Sequence, residues 1–221
     1  MTLRAVFLDV DDTLVDYETA GRRAFVTALG ADADYEVFTS LDHYSRFLSG
    51  EFGFAEMRER RMADFLALIG RPDDVPHAAE IERRRFDGLA EHYALFGDVR
   101  PCLAALRERG LLLGLITNNE SVHQRAKIKA VGLDELVDVI VISGEIGVAK
   151  PEAAIFAHAC ALLGVAPDEA LHVGDNLHHD AHGAHAAGVR AVWLDRRRRH
   201  DGSALDFAVI AGLDELLALV P

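Results

Sequence analysis

The feature that most restricts the fold of this chain is a repeated change of hydrophobic rhythm, from short apolar runs to helical spacing. Runs that are almost continuously apolar are typical of strands buried on both faces of a parallel sheet. The predicted strands cover 3–8, 111–116, 137–142, 171–173 and 190–194. From the second run onward, helical patterns separate them. This alternation favours right-handed crossovers, and it predicts an α/β fold with a doubly wound, Rossmann-like parallel sheet.

A long segment without strand signals follows the first run. Between residues 16 and 94 apolar residues recur at intervals of three and four, and Gly30, Gly50 and Gly70 stand where helices would end. We therefore predict an inserted all-helical domain at 16–94. The Rossmann-like core would then be formed by 1–15 and 95–221.

Charge and composition argue against several classes of protein. The formal net charge of −13 disfavours a general affinity for nucleic acid. No apolar segment reaches the length of a membrane span, and Met1 leads into a strand rather than into a signal peptide. Cys102 and Cys160 lack the spacing of a metal or redox site. We expect a cytoplasmic protein that contacts neither nucleic acid nor membrane; the sequence leaves its oligomeric state open.

Polar residues follow four of the predicted strands. They are Asp9 and Asp11, Thr117 and Asn118, Lys150 in the third loop, and Asp175. Because parallel strands end at one edge of a sheet, these side chains are expected to converge there. Clustered carboxylates repel one another unless a cation neutralises them, and Mg²⁺ prefers oxygen ligands. Each group also has a structural alternative. The aspartates could form an ordinary turn, Thr117 and Asn118 could cap the next helix, and Lys150 could be a solvated surface lysine.

The same stretches resemble, in order, the motifs of the haloacid dehalogenase-like (HAD) hydrolase superfamily. Asp9-Val10-Asp11-Asp12-Thr13-Leu14 is similar to the first motif and Ile116-Thr117-Asn118 to the second, while Lys150-Pro151 and Gly174-Asp175 with Asp180 are similar to the third and fourth. Four motifs in family order are a specific signal. The helical insert looks like the family's cap. Two residues depart from the pattern, since Asp12 replaces a frequent Gly and His179 a frequent Asn.

The resemblance implies a role for each motif residue. Asp9 would be the nucleophile that forms an aspartyl-phosphate, and Asp11 the general acid and base. Mg²⁺ would be held by Asp9, Asp175 and the backbone carbonyl of Asp11, with Asp180 supporting a ligand or a metal-bound water. The phosphoryl group would be bound by Asp9, Val10, Asp11, Thr117, Asn118 and Lys150, of which Thr117 and Lys150 also count as catalytic.

These roles together predict a Mg²⁺-dependent phosphatase acting on a small phosphorylated metabolite, such as a nucleotide, a sugar phosphate or a flavin phosphate. A phosphomutase of the same superfamily is the nearest alternative. A haloacid dehalogenase is disfavoured because related dehalogenases do not use the second aspartate, which is Asp11 here. A non-catalytic binding module is disfavoured by the complete set of motif residues.

Three further groups of side chains permit a functional and a structural interpretation. His178, His179, His182 and His185 could form a second metal site, but a solvated polar face is the favoured interpretation. The run from Arg196 to Arg199 could bind a substrate or a partner, but a solvated loop is the favoured interpretation. Arg58, Arg60 and Arg61 in the insert could include a substrate-binding residue, although a helix surface is the simpler expectation for each.

Overall fold

The computed structural model describes residues 2–31, 33–198, 200 and 203–220, and it folds as two units. The first unit combines Met1–Asp16 with Ala94–Pro221. The second unit is Tyr17–Tyr93. Each unit buries its own apolar side chains.

A parallel sheet organises the first unit. Its six strands are β1 Ala5–Leu8, β2 Leu112–Thr117, β3 Val139–Ile142, β4 Ala170–Gly174, β5 Arg190–Leu194 and β6 Ala208–Ile210. Their spatial order is β3-β2-β1-β4-β5-β6, and every neighbouring pair is parallel. The central strand β1 is buried throughout, which explains its continuous apolar run. The doubly wound α/β fold predicted from the sequence is confirmed.

The described residues of the second unit form helices joined by loops, and none of them lies in a strand. It contains α1 Tyr17–Leu29, α2 Tyr35–Ser40, α3 His43–Leu48, α4 Phe54–Leu68 and α5 Ala78–Asp87, with 3₁₀ segments at Pro72–His77 and Gly88–His92. An aromatic cluster forms its core, in which Phe25 lies 5.0 Å from Phe38 and 5.4 Å from Phe65 between ring centroids. The absence of strands was expected, but α2 was not. This helix is only six residues long, too short for a clear period.

The remaining helices pack with the sheet in the first unit. They are α6 Val99–Glu108, α7 Ser121–Ala130, α8 Ser143–Ile146, α9 Ala153–Leu163, α10 Gly183–Ala186 and α11 Leu213–Leu216, with a π-helical turn at Leu177–His182. In the part of the chain that the structure describes, no helix is both long and apolar enough to traverse a bilayer.

Two local expectations differ from the structure. The sheet has an edge strand, β6, which the sequence did not indicate because a three-residue strand gives no apolar run. Arg196 is only 18% exposed, since its guanidinium donates to both carboxylate oxygens of Asp98 at 2.8 and 3.0 Å and stacks 4.0 Å above the ring of Phe96. Arg197 and Arg198 are exposed, as expected. Arg199 lies outside the described residues.

Candidate active site

The carboxyl edge of the sheet places the predicted polar residues next to one another. Asp9 directly follows β1, Thr117 ends β2, and Asp175 directly follows β4. Because β2, β1 and β4 are adjacent and in register, these residues end neighbouring strands. The parallel topology alone therefore brings residues that are far apart in the chain to one place.

Lys150 lies at the centre of this site. Its ammonium donates to Asp9 Oδ1 at 2.6 Å and to Asp180 Oδ1 at 2.5 Å, and its side chain is only 3% exposed. Asn118 fixes the backbone here, since its Nδ2 donates to the Lys150 carbonyl and its Oδ1 accepts from the Lys150 amide, each at 2.8 Å. The Asn118 side chain thus holds the backbone of Lys150, which leaves the Asn118 backbone amide as the group that the family resemblance assigns to the phosphate.

Asp180 serves as the anchor for Lys150. Besides the ammonium, it accepts from Nε2 of the buried His172 at 3.0 Å and from the Asn176 amide at 3.0 Å. Although burial raises it, the pKa of Asp180 is held below its ordinary value by Lys150 and His172. Burial lowers the pKa of His172, which favours the neutral imidazole. Asp180 therefore remains an anion inside the protein.

Three carboxylates make the site suitable for a hard cation. Oxygens of Asp9, Asp175 and Asp180 lie within 4.8 Å of one another. Burial raises the pKa of Asp9 to about 7, and burial together with the charges of Asp9 and Asp180 raises that of Asp175 to about 8. Both shifts measure how poorly the protein alone accommodates their negative charge. A set of three carboxylates, whose negative charge Lys150 offsets only in part, fits Mg²⁺.

Two side chains of α7, which were not predicted from the sequence, form a hydrogen-bonded network with Asp11. Lys127, whose side chain is fully buried, donates to Asp11 Oδ1 at 2.5 Å and Oδ2 at 2.7 Å. Gln124 donates to Asp11 Oδ2 at 3.3 Å and to the hydroxyl of Thr117 at 2.8 Å. The only signal in the sequence was the i, i+3 spacing of Gln124 and Lys127, which places them on one face of the helix. Because the helix is polar, this spacing did not show that the face is buried.

The loop after β1 has a tight backbone turn. The Val10 carbonyl accepts from the amides of Leu14 and Val15, each at 2.9 Å. Asp12 has a φ of +57°, in the left-handed region that favours glycine. This conformation explains physically why a glycine would suit the position. Burial, and then the charge of Asp11, raises the pKa of Asp12 to about 7.

The four histidines predicted to lie on a polar face do not form a three-ligand metal group. In the described part of the chain, the group of three ligating side chains is the aspartate cluster above. His182 and His185 instead pack against Phe207, with ring centroids 5.2 and 6.0 Å away. His178 and His179 are adjacent, with ring centroids 5.3 Å apart.

Comparison with known proteins identifies the family. The model of the haloacid dehalogenase-like hydrolases matches residues 3–188. The chain is also 32% identical over 216 residues to glyceraldehyde 3-phosphate phosphatase from Methanopyrus kandleri, a match that covers 94% of this chain and 93% of that protein. The chain belongs to the haloacid dehalogenase-like hydrolase family. The family resemblance inferred from the four motifs is confirmed.

Other proteins are similar to this HAD hydrolase in sequence or in fold. Phosphoserine phosphatase from Thermus thermophilus is 43% identical over 146 residues, which are 64% of this chain and about half (56%) of that protein. The HAD-hydrolase YfnB from Bacillus subtilis, whose crystal structure has magnesium bound, superposes with a TM-score of 0.82. That match covers 100% of this chain and 99% of YfnB at 21% identity, and it therefore concerns the fold alone.

Proposed function

We propose that this HAD hydrolase is a Mg²⁺-dependent phosphatase that hydrolyses a small-molecule phosphate monoester through an aspartyl-phosphate on Asp9. The observation that carries the proposal is the 2.6 Å contact between Asp9 and the buried Lys150, beside the carboxylates of Asp175 and Asp180. A carboxylate nucleophile, a fixed cation and a metal site are what transfer of a phosphoryl group requires. The names of two relatives, which are phosphatases of phosphoserine and of glyceraldehyde 3-phosphate, support the reaction and the substrate class.

The chemistry starts at Asp9. One of its oxygens would attack phosphorus in line with the leaving alcohol, and the ester oxygen would depart with the electron pair of the P–O bond. Lys150 would bind a phosphoryl oxygen and offset its charge, with the Thr117 hydroxyl and the backbone of Val10 and Asn118 as further donors. Asp11, whose side chain is 24% exposed, would give a proton to the leaving alcohol. It would later take a proton from the water that attacks phosphorus, and the P–O bond to Asp9 would then break, which releases inorganic phosphate and restores the Asp9 carboxylate.

The metal ion would be held by Asp9, Asp175 and the backbone carbonyl of Asp11. When bound, Mg²⁺ offsets negative charge on the transferred group. Asp180 already accepts hydrogen bonds from Lys150, His172 and the Asn176 amide. We therefore keep it as a supporting residue and not as a ligand.

The two domains would have different roles in this reaction. Residues 1–15 and 95–221 would carry the chemistry, and the helical cap at 16–94 would select the substrate. Cys102 and Cys160 are both buried and unbridged, which supports a reducing, cytoplasmic environment.

Release of inorganic phosphate from p-nitrophenyl phosphate tests the reaction. We expect release that requires Mg²⁺ and disappears in Asp9→Asn, which keeps the shape of the side chain but removes the nucleophile. Asp134→Asn is the matched control, since Asp134 is an exposed aspartate of the same unit. Release that persists in Asp9→Asn at the level of the control would contradict the assigned nucleophile. Trapping phosphate on the protein from a ³²P-labelled ester, and its loss in Asp9→Asn, would identify the intermediate.

A screen of phosphorylated metabolites would then define the substrate. We expect hydrolysis of small monoesters, and the ratio of phosphate released to substrate consumed should be one to one. Conversion of a sugar phosphate to its isomer without net release of phosphate would instead identify a phosphomutase.

A further inference from the structure

The helical unit contains an arginine cluster that the proposed chemistry does not use. It consists of Arg58 and Arg61 on α4 and of Glu82 and Arg85 on α5. Arg85 and Glu82 are both buried, at 3% and 1% side-chain exposure, and Arg58 is 16% exposed. All four side chains belong to the same unit, so their mutual arrangement is internal to it.

The single acid of the cluster is already neutralised. Arg85 donates to Glu82 through Nε and Nη2, each at 2.6 Å, in a bidentate pair. Arg58 Nη1 remains 3.8 Å from Glu82 Oε1, which is beyond hydrogen-bond distance. Three guanidinium groups and one carboxylate leave a local excess of two positive charges in a protein whose net charge is −13.

Aromatic faces hold the two remaining arginines, whose side chains make no hydrogen bond to another residue that the structure describes. The Arg58 guanidinium carbon lies 3.5 Å from the ring centroid of Phe86 and 5.1 Å from that of Phe54. The guanidinium carbon of Arg61 lies 4.3 Å from the ring centroid of Phe38. Stacking binds the flat face of a guanidinium and leaves its N–H groups directed along the edge. The rings therefore fix both arginines without occupying their donors.

Several of these donors are buried and have no acceptor. Nε and Nη1 of Arg58 and Nε of Arg61 are inaccessible to solvent and make no hydrogen bond with the described residues. Burial lowers the pKa of both arginines, and the nearby charge of Arg85 lowers that of Arg61 further. Buried charged donors without partners are costly. An anion within hydrogen-bond distance of these donors would satisfy them and offset the charge at the same time.

We propose that the helical unit binds an oxyanion, a carboxylate or a phosphate, through the edges of the Arg58 and Arg61 guanidinium groups. The anion comes either from solution, as a separate ligand, or from the substrate, as a second anionic group besides the phosphate ester. The second possibility rests on the proposed phosphatase function. The first does not.

Titration with malonate in metal-free buffer at constant ionic strength tests the site in the full chain. We expect Arg58→Gln and Arg61→Gln to weaken malonate binding, measured by calorimetry, about tenfold or more, since each loses charge-assisted hydrogen bonds. Arg60→Gln is the matched control, because Arg60 is on the same helix, 55% exposed and paired with Glu56. Absence of malonate binding to the wild-type protein would overturn the proposal. Equal binding by Arg61→Gln and Arg60→Gln would overturn it as well.

Stability without the anion separates binding from a purely structural role. In anion-free buffer we expect Arg61→Gln to be at least as resistant to urea as the wild-type protein, because the substitution removes repulsion from Arg85. If these arginines only hold the fold together, the variant will unfold at a lower urea concentration than Arg60→Gln. That result would overturn the proposal.

Two phosphate esters distinguish the sources of the anion. Phosphoglycerate and glycerol phosphate differ by a carboxylate in place of a hydroxymethyl group. If the substrate supplies the anion, kcat/KM for phosphoglycerate divided by kcat/KM for glycerol phosphate will be about tenfold or more lower in Arg61→Gln than in Arg60→Gln. An unchanged ratio, together with lost malonate binding, would assign the site to a separate anionic ligand. If the wild-type protein hydrolyses no ester, the phosphatase proposal fails, while the malonate titration still decides the anion site.

Discussion

Lys127 and Asp11 form an ion pair whose two members are unequally buried. The lysine side chain is fully buried, whereas that of Asp11 is 24% exposed. Both carboxylate oxygens accept from the ammonium, at 2.5 and 2.7 Å. We therefore expect that substituting Asp11 alone and substituting Lys127 alone will lower the free energy of unfolding by different amounts.

Removing the carboxylate should be the more damaging change. Asp11→Asn takes the negative charge away from a buried ammonium, and we expect it to lower the free energy of unfolding by about 3–5 kcal/mol. Lys127→Met leaves a carboxylate that can regain water and still accepts from Gln124, so about 1–2 kcal/mol is expected. The double variant removes both charges and should remain within about 1 kcal/mol of the wild-type protein.

Urea unfolding followed by tryptophan fluorescence measures these differences. Trp193 is the single tryptophan of the chain and lies on β5 in the same unit as the pair. The double-mutant cycle should give a coupling of about 3–8 kcal/mol, because the double variant avoids nearly all of the cost of the two single variants. Lys129→Met is the control, since Lys129 is exposed on the same helix, and it should change stability by less than about 0.5 kcal/mol. The reasoning is refuted if Lys127→Met costs as much as Asp11→Asn, or if the coupling is under about 0.5 kcal/mol.

Three more expectations concern the same unit. In metal-free buffer the free energy of unfolding should fall as the pH rises from about 4 to about 8, because folded Asp9 and Asp175, with pKa values of about 7 and about 8, retain protons that unfolded aspartates release near 3.8. Urea titrations at several pH values measure this, and added Mg²⁺ should reverse the loss at the alkaline end; a flat profile contradicts the assignment. Gly174→Ala should lower both the melting temperature and phosphate release, since its Cβ would lie 2.1 Å from Asp180 Cγ; wild-type values for both would contradict the packing. Asp12→Gly should leave the unfolding free energy unchanged or raise it by about 1 kcal/mol, because φ is +57° at this position; a clear loss of stability would show that the Asp12 side chain matters more than its backbone conformation.

The sequence determined the sheet and the edge of the sheet at which polar residues gather. The run at 190–194 coincides with β5, and the run at 137–142 contains β3. These segments are readable because a strand buried on both faces must be apolar along its whole length. Once parallel pairing is assumed, Asp9, Thr117 and Asp175 must lie at the same edge of the sheet, whatever the loops between them do.

Short elements escaped prediction for a related reason. Strand β6 has three residues and helix α2 has six, so neither contains enough residues to establish a period. Their formation depends on neighbours that are distant in sequence, namely β5 for the strand and α4 for the helix.

The partners of the motif residues were decided by the tertiary structure alone. Lys127 is followed by Ile128 and Lys129 in a polar helix, and its letter does not reveal that it is fully buried while Lys129 is exposed. Arg61 and the exposed Arg60 are adjacent and chemically identical. A charged residue can enter the interior only where another chain segment supplies a counter-charge or an aromatic face. The sequence therefore determines which residues carry charge, and the packing of distant segments determines which of those charges are buried and what they bind.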